Sequence, residues 1–304
     1  MSDVIIQAKN LSKYYGKLCA LKNLNLSITR GKVYALLGRN GAGKSSLLKI
    51  LTGFEDASGG AAELFGNNCD KLTPDVRAKT AYLVEGQYMY GNMTIDEMKK
   101  FSKPFYKNWS DKKFDDIINY FNLNPKAKIK TISRGQRAQV YFAVILSYSP
   151  ELLILDDPML GLDAAARRDI LEVIVSLIHN QNCTVLYSTH ILNEVERVAD
   201  SVGIIDNGNL IVDCEYSELI AQFTEYRAEK NNNIEFLSKK YSFIHTVKND
   251  FDSMKIITRN APKNFSEILK KENISIFESK QMTLEDIFLA LTAEKYSGSL
   301  YELL

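Results

Sequence analysis

The sequence contains no long apolar run, and none of its stretches approaches the roughly 20 residues that a membrane-spanning helix needs. It also lacks an opening basic segment followed by an apolar one, which is the pattern of a secretory signal. We therefore expect any role at a membrane to depend on a partner protein that spans it.

Cysteine and net charge are also low. The four cysteines, Cys19, Cys69, Cys183 and Cys214, are isolated, and no C-x-x-C pair is present. This distribution favours a reducing compartment over a disulfide framework. The 38 basic and 37 acidic residues leave a net charge of +1, so no strong field of one sign is expected. A nucleic-acid partner is therefore not expected.

The strongest pattern present is a glycine-rich loop at residues 38–45, which fits G-x-x-x-x-G-K-[ST]. It follows an apolar stretch at 33–37, predicted to be a buried strand, and precedes an amphipathic helix predicted to begin near Ser46. Glycines allow backbone N–H groups to approach a triphosphate, Lys44 adds a point charge, and Ser45 offers a hydroxyl to Mg²⁺. The predicted triphosphate site consists of Gly38, Arg39, Asn40, Gly41, Ala42, Gly43, Lys44, Ser45 and Ser46.

Two carboxylates and a histidine follow predicted central strands. Asp156 and Asp157 end the apolar stretch 152–155, and because adjacent carboxylates repel each other, a cation is expected nearby. Beside a phosphate-binding loop, the first acid would serve Mg²⁺ and the second would polarise the attacking water. The alternative is a loop-exposed pair. His190 follows the predicted strand 183–187, where it can reach a γ-phosphate at the same sheet edge.

Two further candidates have a functional and a structural interpretation. Tyr15 could stack on adenine, or it could be an ordinary half-buried strand tyrosine. Glu85 ends the predicted strand 80–84, where it could sense a metal or a water, or remain a solvated loop glutamate. From the sequence alone the structural interpretation is the commoner case for both.

A helical insertion is predicted from residue 94 to about 147, where the apolar period changes to 3.6. Ser133 and Gln136 fit a capping box that opens its last helix. With the small residue Gly135 between them, the same N-terminus is also a potential phosphate-binding surface. The residues alone do not choose between these interpretations.

The domain boundary is predicted at a polar stretch, residues 230–233. A helix is expected from about Ser217 to Lys230. Beyond the boundary, strands are expected near 242–247, 253–258 and 274–278 and helices near 264–272 and 283–293, which together form a small α+β unit. The predicted division is residues 1–228 and 229–304, with a helical part at about 92–147.

Together, these motifs resemble an ATP-binding cassette (ABC) ATPase over residues 4 to about 220. The resemblance implies an α/β P-loop NTPase of ABC type, with a RecA-like core, an antiparallel β subdomain, a helical subdomain and a small C-terminal α+β domain. ATP and Mg²⁺ are the implied cofactors. By this resemblance, Tyr15 stacks on the adenine, residues 38–45 bind the phosphates, and Glu85 lies at the Q-loop position. Ser133, Gly135 and Gln136 form the signature segment, which contacts the γ-phosphate bound by the opposite subunit. Asp156 is linked to Mg²⁺, Asp157 occupies the position of the catalytic carboxylate, Asp163 belongs to the D-loop, and His190 is the switch histidine. The implied metal ligands are Ser45, Glu85 and Asp156, and the implied catalytic group is Asp157, His190 and Glu85.

Three positions depart from the family pattern. Arg134 replaces the first signature glycine, and Glu85 replaces a glutamine. Asp157 stands where the family has a glutamate, so its carboxylate is one methylene shorter. Since a misplacement of about 1 Å can reduce a rate by ~10²-fold, slow ATP hydrolysis is predicted.

Residues 282–292 resemble the closing helix of drug, lantibiotic and bacitracin-type exporter ATPases. This resemblance implies a subunit on the cytoplasmic face of the cell membrane that drives a separate integral membrane permease as a homodimer or heterodimer. The alternative is a soluble or regulatory ABC ATPase with slow turnover owing to Asp157.

Overall fold

The computed structural model describes residues 4–84, 89–181, 183–230, 235–249 and 253–292. The chain divides into two compact units, Met1–Asp213 and Cys214–Leu304. Within the described ranges, no helix combines the length and the apolar content of a membrane-spanning segment.

The first unit contains two sheets and seven α-helices in its described part. Its strands are β1 (Val4–Tyr15), β2 (Leu18–Thr29), β3 (Val33–Leu37), β4 (Gly59–Leu64), β5 (Asn67–Asn68), β6 (Thr80–Leu83), β7 (Leu152–Asp156), β8 (Thr184–Thr189), β9 (Ser201–Asp206) and β10 (Asn209–Glu215), the last of which runs just past the division. Its helices are α1 (Lys44–Leu51), α2 (Pro74–Lys79), α3 (Ile95–Ser102), α4 (Asp111–Tyr120), α5 (Arg134–Tyr148), α6 (Ala164–Gln181) and α7 (Leu192–Val198).

The six-stranded sheet has the order β10-β9-β3-β8-β7-β6, and the pairs from β9 to β6 are parallel. Every residue of β3, β7 and β8 is buried, as expected for central strands that are covered on both faces. The second sheet, β2-β1-β4-β5, is antiparallel. The predicted α/β core with an antiparallel subdomain is therefore confirmed.

Helix α1 joins the two sheets into one hydrophobic core. Its side chains Leu47, Leu48, Ile50 and Leu51 are fully buried. They share a cluster with apolar residues of both sheets, and α1 contacts β2, β4 and β7. The loop that precedes α1 is thereby fixed relative to the strand ends around it.

The insertion between β6 and β7 is helical, as predicted. Helices α3, α4 and α5 pack around a core of their own. Its buried members are Ile95, Phe114, Ile118, Leu123, Ile129, Val140 and Ala143. Capping boxes begin α3 at Thr94 and α5 at Ser133, as the sequence indicates.

The second unit is an α+β layer. Its elements are α8 (Tyr216–Gln222), β11 (Phe223–Glu229), α9 (Glu235–Lys240), β12 (Ile244–Asn249), β13 (Ser253–Arg259), α10 (Phe265–Lys271), β14 (Ile276–Gln281) and α11 (Leu284–Thr292). The strands form an antiparallel sheet in the order β12-β13-β11-β14. Leu237, Phe265 and Leu269 from the helices pack with Met254 and Ile256 of the sheet.

The observed division lies earlier in the chain than the predicted one at 228/229. The helix predicted from 217 to 230 ends at Gln222, and residues 223–229 form strand β11 instead. The reason is pairing: β11 lies between β13 and β14 and hydrogen-bonds to both. A strand with two partners belongs to the unit that contains them.

Candidate functional site

A cavity of about 410 Å³ opens beside the carboxyl ends of β3, β7 and β8, a size within the range of about 300–1,000 Å³ common for ligand clefts. Because these strands are parallel, the segments that follow them meet at one sheet edge. The lining residues are Tyr15, Leu18, Ala20, Asn40, Gly41, Gly43, Lys44, Ser45, Ser46, Asp157, Leu160 and His190. Predicted site residues that are far apart in sequence therefore share one cavity.

The glycine loop is pressed between two neighbouring strands. A Cβ on Gly43, whose φ is 113°, would lie 2.4 Å from the carbonyl oxygen of Ala20 in β2. A Cβ on Gly38 would lie 2.6 Å from the carbonyl oxygen of Ile205 in β9. These distances leave no room for a side chain. Both glycines are thus required by the packing of the loop, in addition to its predicted approach to a phosphate.

Lys44 is held inside the loop. Its side chain is 5% exposed, and its Nζ donates hydrogen bonds to the carbonyl oxygens of Gly38 at 2.8 Å and Arg39 at 3.3 Å. Helix α1 begins at this residue, and Gly43 provides no side-chain cap. The first N–H groups of the helix and the ammonium group therefore form one positive surface suited to an anion.

Asp156 lies behind the loop and is 2% exposed. Its Oδ1 accepts hydrogen bonds from the Oγ atoms of Ser45 at 3.1 Å and Ser188 at 2.8 Å. Hydroxyl and carboxylate oxygens are hard ligands of the kind that Mg²⁺ prefers. Ser45 and Asp156 therefore fit the ion that the sequence implies.

Asp157 and His190 form a hydrogen-bonded pair at the cavity. The distance between Asp157 Oδ1 and His190 Nδ1 is 2.9 Å. Asp157 adopts a left-handed backbone conformation with φ of 45°, which aspartate tolerates better than most residues. Its backbone N–H donates to Ser188 Oγ at 3.0 Å. The carboxylate at the end of β7 and the histidine after β8 thus act on one another directly.

Tyr15 ends β1 at the mouth of the cavity, where it is 42% exposed. Its hydroxyl donates to a carboxylate oxygen of Glu55 and lies 3.3 Å from Ser46 Oγ. The ring is thus held at the edge of the cavity beside the first turn of α1, where the sequence predicts an adenine.

Comparisons with known proteins agree with this geometry. The family model described as ABC transporter matches residues 21–160. The lantibiotic transport ATP-binding protein SrtF of Streptococcus pyogenes is 36% identical over 215 residues, which are 70% of this chain and 91% of that protein. This chain belongs to the ABC transporter family. The bacitracin transport ATP-binding protein BcrA of Bacillus licheniformis is 30% identical over 248 residues, which are 80% of this chain and 81% of BcrA.

The fold of this ABC ATPase also matches solved structures. A structure described as the ATP binding subunit of an ABC transporter superposes with a TM-score of 0.65 at 27% identity, and the match covers 71% of this chain and 92% of that chain. Membership in the family means that this chain is an ATPase and an ATP-binding subunit of a transporter.

The residues predicted to form the signature contact, Ser133, Gly135 and Gln136, do not line the cavity. Ser133 Oγ accepts from the backbone N–H of Gln136 at 3.1 Å, and the Gln136 side chain accepts from the Ser133 N–H at 3.0 Å. The capping interpretation is therefore confirmed, while the phosphate contact of Ser133, Gly135 and Gln136 stays a prediction. Asp163 caps α6 through a 2.8 Å hydrogen bond from Ala166 N–H.

Two departures from the family pattern have different outcomes in the structure. The Arg134 side chain packs against Gly161, in the turn that precedes α6. The contact is close enough that a Cβ added to Gly161 would lie 2.6 Å from Arg134 Nη1. Glu85 lies outside the described residues, so its predicted Q-loop and metal roles stay predictions.

Three residues around the site were missed by the sequence analysis. Ser188 holds both Asp156 and the Asp157 backbone, and the pairing of β7 with β8 places it directly opposite Asp156. Glu55 holds Tyr15. Glu194 in α7 is buried, and its Oε2 has no hydrogen-bond partner in the described part of the chain. Burial raises the pKa of Glu194. Only Ser188 carries a usable signal in the sequence, namely its position directly after the predicted strand 183–187.

Proposed function

We propose that this ABC ATPase powers an exporter of a drug, a peptide antibiotic or a cell-envelope compound, and that it drives a separate permease from the cytoplasmic face of the membrane. The observation that carries the ATP-dependent step is the cavity that joins the glycine loop to Asp157 and His190. The substrate class is supported by the names of BcrA and SrtF, which refer to bacitracin and lantibiotic transport. The resemblance of residues 282–292 to exporter ATPases supports export.

In this proposal Lys44 and the N-terminal N–H groups of α1 bind the β- and γ-phosphates. Ser45 and Asp156, with Glu85 as a further predicted ligand, would hold Mg²⁺, which neutralises charge on the phosphates. The Asp157 carboxylate orients the attacking water and accepts its proton. His190 holds that carboxylate at the cavity through the 2.9 Å hydrogen bond.

The proposal includes a second cassette, identical or homologous. Ser133, Gly135, Gln136 and Asp163 do not line the cavity of their own chain, which supports a role at the nucleotide of the opposite subunit. Two cassettes would then enclose two ATP molecules, and hydrolysis would reopen the pair.

A regulatory ATPase with slow turnover is the second candidate, and the observation that favours it is the short side chain of Asp157. It shares the nucleotide site with the first candidate and differs in needing no permease.

Affinity purification distinguishes the two. The tagged chain is recovered from detergent-solubilised membranes of its source organism, and the co-purifying proteins are identified by mass spectrometry. We expect a polytopic membrane protein in stoichiometric amount, and a second cassette if the complex is heterodimeric. Recovery of the chain without any membrane protein would contradict the transporter proposal.

Resistance tests the substrate class. Co-expression of this chain with the co-purified permease is expected to raise the inhibitory concentration of bacitracin or of a lantibiotic in a sensitive host. The Lys44→Ala variant, expressed to the same level, is the matched control and should give no protection. Equal sensitivity to both compounds with and without the active pair would contradict a peptide antibiotic as the substrate.

A further inference from the structure

The Tyr15 side chain is fixed by a network that no motif of the sequence indicates. Its hydroxyl donates to Glu55 Oε2, and Ser46 Oγ lies 3.3 Å away. Glu55 follows α1, whereas Tyr15 ends β1, so the contact links two segments on either side of the glycine loop. The ring is thereby held at the cavity mouth although it is partly exposed.

Glu55 is itself held by two cations. Lys13 Nζ lies 3.3 Å from Oε2, and Lys49 Nζ lies 3.2 Å from Oε1. The hydrogen bond from Tyr15, with those from the two lysines, lowers the pKa of Glu55. The carboxylate therefore stays charged at neutral pH, and a hydrogen bond to a charged acceptor is stronger than a neutral one.

Lys13 also covers the tyrosine ring. Its Nζ lies 5.0 Å from the ring centroid, and it donates a 2.7 Å hydrogen bond to the carbonyl oxygen of Asp56. A cation at this distance is attracted to the ring face. With one face occupied by the ammonium group, the opposite face is the one on which a base can stack.

We infer that Glu55 and Lys13 are positioning residues for the nucleotide base: they fix the Tyr15 ring so that one defined face receives the purine. This inference rests on the proposed role of the cavity as the ATP site. It assigns the base end of the site to three anchored side chains, whereas the phosphate end depends on the glycine loop.

Because the two ends are separate, two ligands distinguish them. MgATP uses both ends, and magnesium tripolyphosphate uses only the phosphate end. Calorimetry on the full chain gives both dissociation constants for the wild type, Glu55→Gln and Tyr15→Phe. The Asp56→Asn variant is the matched control, since it makes the same carboxylate-to-amide change one residue away, where only the backbone oxygen contacts Lys13.

We expect Glu55→Gln to raise the dissociation constant of ATP about five- to tenfold, since stacking on a base contributes about 1–3 kcal/mol and only part of it is lost. Tripolyphosphate affinity should stay within about twofold, and Asp56→Asn should match the wild type. Tyr15→Phe should weaken ATP binding at least as much, and the double variant should be no weaker than Tyr15→Phe alone, because Glu55→Gln weakens the same hydrogen bond that Tyr15→Phe removes.

Several results would overturn the inference: unchanged ATP affinity in Glu55→Gln, equal weakening of both ligands, or additive effects of the two changes. A wild-type chain that binds tripolyphosphate as tightly as ATP would also overturn it while leaving the phosphate site intact. A wild-type chain that binds neither ligand would instead overturn the proposed function. The Tyr15→Phe variant keeps the test decisive if Glu55→Gln folds poorly.

Discussion

The Asp157→Glu variant is expected to hydrolyse ATP faster than the natural chain. Asp157 Oδ1 reaches His190 Nδ1 at 2.9 Å, so the short carboxylate is already engaged at the edge of the cavity. One added methylene extends its reach by about 1.5 Å. A misplacement of about 1 Å can lower a rate ~10²-fold, so the variant should gain about ten- to a hundredfold in kcat, or about 1.4–2.7 kcal/mol of barrier.

The assay is steady-state phosphate release over a range of MgATP concentrations. The KM for ATP should stay within about twofold of the wild-type value, because the contacts of Lys44 and of the α1 N-terminus are unchanged. Asp157→Asn is the control and should lower kcat without loss of ATP affinity. Glutamate tolerates φ of 45° less well than aspartate, so a lower melting temperature is expected and is measured separately. A folded Asp157→Glu variant that binds ATP normally and turns over no faster would mean that the length of this side chain does not limit hydrolysis.

The glycine loop, the turn before α6 and the buried carboxylate of Glu194 each give a further prediction. Lys44→Ala should weaken MgATP binding about ten- to a hundredfold in calorimetry, since it removes the buried ammonium group of the loop; unchanged affinity would contradict the assignment. Gly161→Ala should lower the unfolding free energy by about 1–3 kcal/mol, because its φ of +72° disfavours a residue with a Cβ, whereas the Arg134 guanidinium that the new Cβ would meet ends a flexible side chain and can move aside. Gly66→Ala, with φ of +73° and open space around it, should lose about as much; a much larger loss at Gly161 that Arg134→Ala removes would contradict this reasoning. Burial raises the folded-state pKa of Glu194 above its ordinary value of about 4.3. The unfolding free energy of the wild type therefore increases as the pH falls through this folded-state pKa. Glu194→Gln should therefore be at least as stable at pH ~8, and its advantage in denaturant unfolding should shrink toward pH ~5; an advantage that grows on acidification would contradict this sign.

Local patterns predicted the centre of the first unit well. The apolar runs at 33–37 and 152–155 are buried strands because central parallel strands need apolar residues on both faces. The glycine loop was equally readable, since its residue types are dictated by backbone geometry. What the sequence analysis missed are contacts between segments. The position of Ser188 beside a predicted strand marks it as a candidate, but its contact with Asp156 depends on the pairing of β7 with β8. Glu55 contacts Tyr15 only because the fold brings the end of β1 next to the turn after α1.

The boundary between the units shows the same limit. In residues 223–229, Glu225 and Arg227 interrupt the apolar alternation that indicates a strand, so the sequence does not distinguish this segment from the helix before it. In the structure Glu225 is buried and pairs with Lys255 at 2.6 Å, so its charge is matched on the sheet. An ion pair between two strands whose carboxylate is buried has no local signature in the sequence.

A crystal structure of the Asp157→Asn variant grown with MgATP would show directly whether this cavity binds the nucleotide. We expect phosphate oxygens within hydrogen-bond distance of Lys44, a metal ion that contacts Ser45 and Asp156, and the base against Tyr15. A nucleotide bound outside this cavity, or a metal ion that contacts neither Ser45 nor Asp156, would contradict this expectation.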